Sequence, residues 1–180
     1  MCSHYGSRRP SQLIKKMNLT EENATQVDPQ AADEAFMAKA LREAELAGAA
    51  GEVPIGAVIV KDGMVIARGR NRREELADAT AHAEILAIRE AGAKLGGWRL
   101  SGCTLYVTVE PCPMCAGALV QARVDRLVFG ARDPKAGACG STVDIVRDER
   151  YNHRLEVTEE VLLTECQAVI RDFFKARRDG

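Results

Sequence analysis

Residues 104–129, TLYVTVEPCPMCAGALVQARVDRLVF, contain the pattern that decides the fold. Thr104 to Val109 is rich in Thr, Val and Tyr, which favours a β-strand, and Arg126 to Phe129 is predicted as the next strand. Pro113 to Arg123 lies between them and carries apolar residues on one helical face: Met114, Ala118, Leu119 and Ala122. The segment is therefore predicted to form a strand, a helix and a second strand.

The flanking sequence predicts further helices and strands on both sides of this segment. A helix is expected to begin at Pro29 to Asp33 with Asp28 as its cap, and to end near Gly48. The Asp-Gly pair in Lys61-Asp62-Gly63 is typical of a hairpin turn. The other predicted elements are strands at Ile55 to Val60, Met64 to Arg70 and Leu155 to Val157, a loop at Asn71 to Ala79, and helices at Ala81 to Ala93 and from a Thr158 cap to about Arg177. This order predicts helices layered on a central mixed sheet.

The composition is typical of a folded globular protein. The 180 residues suit one domain, since a domain has roughly 150 residues. Hydrophobic residues make up 46% of the chain and charged residues 28%, which excludes collagen-like and wholly disordered chains. Because 25 Lys and Arg oppose 26 Asp and Glu, any contact with nucleic acid must use a local basic patch. No apolar stretch approaches the roughly 18 residues of a membrane span, so no membrane association is expected.

The chain is predicted to divide into a flexible extension at residues 1–30 and a folded domain at residues 31–180. The extension is polar and has little apolar periodicity. No apolar segment in it marks a secretory signal. Its basic residues (Arg8, Arg9, Lys15 and Lys16) suit a transit peptide, but the acidic residues that follow (Glu21, Glu22 and Asp28) argue against one that continues further.

Cysteine usage indicates metal or redox chemistry. The six cysteines stand at positions 2, 103, 112, 115, 139 and 166. Because the chain is large and lacks a secretory signal, the Cys112-x-x-Cys115 pair favours metal or redox chemistry over a disulfide framework. Cys166 lies on an apolar helical stripe and is expected to be buried, and Cys103 and Cys139 are expected to have similarly structural roles.

Two short motifs together predict a metal site. A lone histidine such as His82 at a helix start is usually a cap or a packed ring, and a lone C-x-x-C pair fits redox chemistry or half of a structural zinc site. Together, His82, Cys112 and Cys115 supply three ligands and leave a fourth position for water, as in catalytic zinc sites. Cys112 and Cys115 are three residues apart at a helix start, so both sulfurs can face one ion. The N-termini of two helices also favour thiolates and a bound hydroxide.

Glu84 gives this site catalytic potential. Residues two apart do not share a helix face, so His82 and Glu84 can both approach the metal only if the metal lies beyond the helix end, near the axis. Zinc lowers the pKa of a bound water to roughly 7, and a nearby carboxylate can take that proton and pass it to a leaving group. The alternative is that Glu84 only adds charge near a helix N-terminus, where acidic residues are common.

The combination of H-A-E with P-C-x-x-C resembles the signature of the zinc-dependent nucleoside deaminase superfamily. Further segments resemble the bacterial tRNA-specific adenosine deaminases within it: residues 52–58, 69–72, 80–84, 110–118, 129–133, 137–141, 152–154 and 172–174. The likeness covers about residues 33–178, and it implies a three-layer α/β/α cytidine-deaminase-like fold with a central mixed five-stranded sheet. In one departure, Asp78-Ala79-Thr80 lacks the proline that the family often has before the histidine, which predicts a looser loop.

The resemblance implies a reaction and a set of site residues. The expected reaction is hydrolytic deamination of adenosine to inosine at the wobble position, nucleotide 34, of an arginine tRNA. His82, Cys112 and Cys115 would bind one Zn²⁺ per subunit, zinc hydroxide would attack C6 of the flipped adenine, and Glu84 would be the proton shuttle. Residues implied to bind the substrate are Asn71, Val53, Pro54, Ile55 and Asp133.

The resemblance also implies the partners and the location of the protein. A homodimer, a cytoplasmic location and binding of the tRNA anticodon stem-loop through the last helix are expected. The candidate RNA contacts are Arg171, Lys175, Arg177 and Arg178. These side chains would contact phosphates while the pocket reads the base, although a basic run is otherwise usually a solvated surface.

Three other functions stay open at this level. The first is deamination of a free base or nucleoside, such as guanine, cytosine or cytidine, against which the basic last helix and the loop at Gly130 to Ser141 weigh. The second is a zinc-stabilised RNA-binding module without catalysis, from which Glu84 distinguishes an enzyme. The third is a redox protein with reversible oxidation of the Cys112–Cys115 pair and no bound metal.

Overall fold

The structure is a computed structural model that describes residues 28–179. Residues 1–27 of the predicted extension lie outside the described part. The elements are α1 (Pro29–Ala49), β1 (Gly56–Lys61), β2 (Met64–Arg70), α2 (Arg73–Leu76), α3 (Ala83–Leu95), β3 (Cys103–Val109), α4 (Pro113–Ala122), β4 (Arg126–Ala131), β5 (Glu156–Thr158) and α5 (Leu163–Asp179). None of these helices is both long enough and apolar enough to cross a membrane.

The five strands form one mixed sheet in the order β2-β1-β3-β4-β5. Strand β1 pairs antiparallel with β2 and with β3, whereas β3, β4 and β5 run parallel. The segment that predicted a strand, a helix and a strand forms β3, α4 and β4, with the two strands side by side. A parallel pair needs such a crossover, because a tight turn can only join antiparallel strands.

Helices cover both faces of the sheet, which confirms the predicted three-layer α/β/α architecture. Strand side chains alternate between the faces, so Val58 and Val128 pack under α1 and α5 while Ile59 and Leu127 pack under α3 and α4. Met37 and Cys166 complete the first cluster from the helices. The buried position of Cys166 agrees with its prediction as a small apolar residue.

A buried carboxylate attaches α1 to the sheet. Asp33 accepts hydrogen bonds from the Tyr106 hydroxyl at 2.8 Å and from both terminal nitrogens of Arg126 at 2.9 and 2.6 Å. Burial and the hydrogen bond to Asp33 both raise the pKa of Tyr106. Asp28 caps the same helix, as predicted, by accepting from the backbone nitrogen of Gln30.

The last helix begins later in the chain than predicted. Thr158 is not its cap but the last residue of β5, and its hydroxyl accepts from Arg126 at 2.7 Å. The chain then turns through Glu160 and Leu162, whose φ angles of 66° and 49° are incompatible with a helix. Helix α5 therefore begins at Leu163.

Gly69 lets α3 approach the edge strand β2 closely. Replacing Gly69 tests whether this close packing keeps His82, at the start of α3, in place. A Cβ at this position would lie 2.0 Å from the carbonyl oxygen of Ala83, the residue between His82 and Glu84. Gly69→Ala is therefore expected to displace the start of α3, costing about 3 kcal/mol of stability and reducing zinc retention. Calorimetry and metal analysis measure both effects. Gly97→Ala, with no atom near the added Cβ, is the control, and equal Tm values and zinc contents for the two variants would contradict the prediction.

Candidate metal centre and active site

The three predicted ligands meet at the N-termini of two helices. His82 is the N-cap of α3 and Cys112 is the N-cap of α4, while Cys115 lies in the first turn of α4. Nδ1 of His82 is 3.7 Å from Sγ of Cys112 and 3.5 Å from Sγ of Cys115. The three donor atoms all lie within 4.8 Å of one another. Positions 30 residues apart in sequence therefore form one cluster, because α3 and α4 pack side by side on the same face of the sheet.

This cluster fits a zinc ion by its donors and by its dimensions. Bonds of about 2.3 Å to sulfur and about 2.0 Å to nitrogen, at a tetrahedral angle, place a nitrogen and a sulfur about 3.5 Å apart. Within residues 28–179, no fourth His, Cys, Asp or Glu joins the group, so the protein supplies three ligands there. Three ligands are typical of catalytic zinc sites, whereas structural sites use four.

The cysteine pair is prepared to bind a cation. A hydrogen bond from the Cys115 thiol is the main cause that lowers the pKa of Cys112 to about 4, and His82 adds to it. The pKa of Cys115 is raised by that same hydrogen bond and by burial, and the hydrogen bond to Cys112 raises the pKa of His82. One thiolate is thus available before any metal arrives. Both cysteines are free rather than disulfide-bonded.

Glu84 lies in the first turn of α3 with only 4% of its surface exposed. Burial raises the pKa of its carboxyl, and the positive charge of His82 opposes that effect. The carboxyl also interacts with the Cys115 thiol, although it is not a member of the ligand group. A buried carboxyl beside the ligand cluster, but outside it, has the position of a proton-transfer group.

Asn71 and the segment Val53 to Ile55, which the sequence predicted as substrate-binding residues, are hydrogen-bonded to each other. The Asn71 amide nitrogen Nδ2 donates to the Val53 carbonyl at 3.3 Å, and the Asn71 backbone nitrogen donates to the Ile55 carbonyl at 3.0 Å. Pro54 is buried between these two contacts. The next residue, Arg72, donates its backbone nitrogen to the Ala81 carbonyl, directly before His82. This tie brings the Asn71 segment alongside the metal ligand.

Glu52 is a site residue that was not singled out from the sequence. Its buried carboxylate accepts from Nδ2 of Asn71 at 3.4 Å and from the backbone nitrogen of Glu75 at 2.8 Å. The second bond explains the short helix α2 within a segment predicted as a loop, because the cap comes from 23 residues away. Because Glu52 and Val53 both accept from Nδ2, they fix the orientation of the Asn71 side-chain amide.

The loop before His82 is held in place despite its missing proline. The Asp78 carboxylate accepts from the backbone nitrogen of Thr80 at 2.8 Å and from the Thr80 hydroxyl at 2.7 Å. These bonds also lower the pKa of Asp78. The looser loop expected from the sequence is therefore a closed turn, because the aspartate side chain provides the constraint.

Asp133 lies in the loop after β4, where its side chain supports a turn. Its carboxylate accepts from the backbone nitrogens of Lys135 and Ala136 at 2.9 and 3.1 Å. A hydrogen bond from the Ala138 backbone nitrogen to the Pro111 carbonyl, at 2.8 Å, ties this loop to the start of the Cys112 segment. The loop thus borders the metal site, while the Asp133 carboxylate itself is engaged in local hydrogen bonds.

Comparison with known proteins assigns the family. A tRNA-specific adenosine deaminase of Bacillus subtilis (strain 168) is 52% identical over 146 residues, which are 81% of this chain and 91% of the relative. The chain belongs to the tRNA-specific adenosine deaminase family. Its residues 31–178 also match the MafB19-like deaminase family.

Solved structures agree with this family assignment. A structure from a study of A-to-I editing by tRNA:A34 deaminases at the wobble position superimposes with a TM-score of 0.73 and 50% identity, covering 75% of this chain and 98% of that one. A guanine deaminase from Nitrosomonas europaea gives a TM-score of 0.66 at 32% identity, covering 78% of this chain and 83% of that one. The fold is therefore shared with enzymes that act on free bases, and the fold alone does not identify the substrate.

The basic side chains of the deaminase's last helix are all exposed. They are Arg171, Lys175, Arg177 and Arg178. Arg177 stacks on the Phe173 ring at 5.1 Å, and Arg171 pairs with the neighbouring Asp172 at 3.0 Å. An exposed cationic helix of this kind is available to a polyanionic partner.

Proposed function

We propose that this deaminase hydrolyses adenosine 34 in the anticodon loop of an arginine tRNA to inosine and ammonia, with zinc as its cofactor. The observation that carries the proposal is the cluster of one imidazole and two thiols with a buried glutamate beside it, in a chain about 50% identical to tRNA-specific adenosine deaminases. A glutamate next to a His-Cys-Cys zinc site is the arrangement that hydrolytic deaminases of bases require.

The residues of this chain have distinct tasks in the proposed reaction. His82, Cys112 and Cys115 would hold zinc, which when bound supplies the Lewis acidity that makes water nucleophilic near neutral pH. Glu84 takes the proton of the attacking water and gives a proton to the ring nitrogen of adenine. It then takes the second proton from the oxygen now bonded to C6 and gives it to the amino group, which leaves as ammonia as the C6–N bond breaks and C6=O forms. Oδ1 of Asn71 would accept a hydrogen bond from the base.

Burial of Glu84 serves this exchange of protons. A carboxylate exposed to water is a weak base, so it takes up a proton poorly. At neutral pH almost none of it is protonated, so it also donates a proton poorly. Because burial raises the pKa of Glu84, its carboxylate is a stronger base than a carboxylate in water. The same burial excludes bulk water from the proton path.

The substrate is tested by assaying tRNA and free compounds side by side. The zinc-loaded enzyme is incubated with an arginine tRNA anticodon stem-loop, with adenosine, and with guanine, cytosine and cytidine, and the products are separated by chromatography. Inosine at nucleotide 34 of the stem-loop, with little turnover of the free compounds, is the expected result. Turnover of guanine alone would contradict the proposed tRNA substrate and would favour guanine deamination, the activity of the similar Nitrosomonas europaea enzyme.

We infer that the exposed basic groups of α5 contact the phosphates of the stem-loop. The double variant Arg177→Glu and Arg178→Glu is expected to weaken RNA binding. The plot of log binding constant against log salt concentration should become less steep, by about one for each phosphate that is no longer neutralised. The rate at saturating RNA should change little. Arg42→Glu on α1, also an exposed charge reversal, is the control. A double variant with the binding and salt slope of the wild type would contradict this role.

A homodimer in the cytoplasm completes the proposed function. Both parts are supported by the resemblance to bacterial tRNA deaminases, whose substrate is a cytoplasmic RNA. Light scattering after size exclusion, at micromolar concentration, is expected to give about twice the 19.6 kDa of one chain. A mass of one chain would reject the dimer while leaving the deamination reaction untouched.

A further inference from the structure

The buried carboxylate of Glu110 accepts four hydrogen bonds. The reaction described above does not use this residue. The residue is 3% exposed and lies two positions before the metal ligand Cys112. Its Oε1 accepts from the backbone nitrogens of Cys139 and Ser141 at 2.9 and 3.0 Å. Its Oε2 accepts from the backbone nitrogen of Asp133 at 3.1 Å and from the Ser141 hydroxyl. All four donors belong to one loop, residues 133–141.

The loop backbone also lies directly against this carboxyl group. A Cβ at Gly137 would be 2.4 Å from the Glu110 carboxyl carbon, so any larger residue would push the loop away. The backbone nitrogen of Ala138 donates to the Pro111 carbonyl, and the Glu110 backbone nitrogen donates to the Ala131 carbonyl, both at 2.8 Å. The loop therefore folds around the segment that begins with Glu110 and leads into the ligand Cys112.

A single carboxylate accepting four hydrogen bonds is a strong local constraint. Hydrogen bonds to an ionised group are stronger than neutral ones, and the donors here sit at the two ends of the loop, at Asp133 and at Cys139 to Ser141. The loop packs into the apolar core at one end, through the fully buried Ala138 and Cys139. At its other end, residues 133–136 are half-buried or exposed, and there Glu110 holds the backbone by accepting from the Asp133 nitrogen.

We propose that Glu110 is a positioning residue, whose carboxylate holds the loop from Asp133 to Ser141 against the metal-binding turn and thereby sets the affinity of the site for its nucleotide. The inference rests on the proposed function for the identity of that nucleotide. Glu110 touches neither the three donor atoms of the metal ligands nor Glu84 in any hydrogen bond of the described residues. Its loss should therefore affect substrate binding more than the chemical step.

Glu110→Gln tests the proposal because it removes one acceptor and keeps the other. The glutamine oxygen can still accept from the backbone nitrogens of Cys139 and Ser141. The glutamine NH₂ group replaces Oε2 and faces the Asp133 N–H, and two donors cannot form a hydrogen bond. We expect KM for the stem-loop to rise about tenfold, equivalent to about 1.4 kcal/mol, with kcat changed less than about threefold. Zinc content should equal that of the wild type.

Amide hydrogen exchange provides a readout that is independent of activity. In the zinc-loaded Glu110→Gln protein, exchange at Asp133 is expected to be at least about tenfold faster, with Cys139 less affected and the strands β3 and β4 unchanged. If the wild type failed to deaminate the stem-loop, the proposed function would fail, and this exchange result would still test whether Glu110 holds the loop.

A second variant covers the case in which Glu110→Gln does not fold. Gly137→Ala keeps the carboxylate and displaces the loop, so it is expected to raise KM and to speed exchange at Asp133 and Cys139. Gly97→Ala, which introduces a methyl group into open space, is its control. The inference is overturned if Glu110→Gln or Gly137→Ala leaves KM and amide exchange at the wild-type values, or if kcat falls while KM does not change.

Discussion

Glu84→Gln is expected to abolish measurable tRNA deamination, with a loss near the upper end of the roughly 10²–10⁴-fold range typical of a general acid–base group. The upper end applies because this one carboxyl moves protons both to the ring nitrogen and to the leaving amine. Glutamine has nearly the same shape but cannot take up or release a proton at neutral pH. Single-turnover assays with the anticodon stem-loop measure the loss in the chemical step.

Two further measurements show whether the loss is catalytic. Metal analysis and RNA binding of Glu84→Gln should match the wild type, because Glu84 is not a member of the ligand group. Glu90→Gln on the same helix makes an identical chemical change away from the cluster and should keep full activity. Wild-type turnover by Glu84→Gln would exclude the proton-shuttle role and leave the zinc-stabilised RNA-binding module as the better interpretation.

Cys112→Ala is expected to remove zinc and, with it, all activity. If three or four ligands share a binding free energy of about 10–16 kcal/mol, one ligand is worth about 2.5–5 kcal/mol, or about 10²–10⁴-fold in zinc affinity. The thiol of Cys112 is the one whose pKa falls to about 4, so its removal also eliminates the thiolate that is available at neutral pH. Competition with a chelator measures the affinity.

Loss of the metal should also lower the stability of the protein. A ligand that binds only the folded state stabilises it in proportion to the logarithm of its concentration over Kd, so chelation is expected to lower Tm for the wild type and not for Cys112→Ala. Cys103→Ala is the control, since Cys103 is buried outside the cluster. A wild type that purifies without metal and forms a reversible Cys112–Cys115 disulfide would instead support the redox interpretation.

The two roles proposed here, loop positioning and proton transfer, fall on carboxylates with different surroundings. Glu84 has a raised pKa because burial dominates its surroundings, whereas hydrogen bonds from Ser141, Asp133 and Cys139 outweigh burial and lower the pKa of Glu110. A carboxyl that must exchange protons thus has few strong donors, and a carboxylate that must hold backbone has many. The opposite directions of these two pKa shifts support different proposed roles for the two buried glutamates.

The amino-acid sequence alone predicted most of the strands and long helices and the three candidate metal ligands. Apolar and β-branched residues in β1 and β3 predicted buried strands. His82 together with the Cys112-x-x-Cys115 pair predicted a three-ligand site, because both signals depend on residue types within short motifs. The expectation that a bound metal would lie beyond the start of α3 follows in the same way, since residues at a spacing of two do not share a helix face.

Only the tertiary structure decided which distant polar groups meet. Glu52 caps α2 and holds Asn71, Glu110 holds the loop from Asp133 to Ser141, and Asp33 joins α1 to the sheet through Arg126. These partners are separated by about 20 to 90 residues, and no periodicity links them. Each pair forms because packed helices and strands bring a buried carboxylate to donors that would otherwise lose their hydrogen bonds to water, and that cost is visible only once the chain has folded.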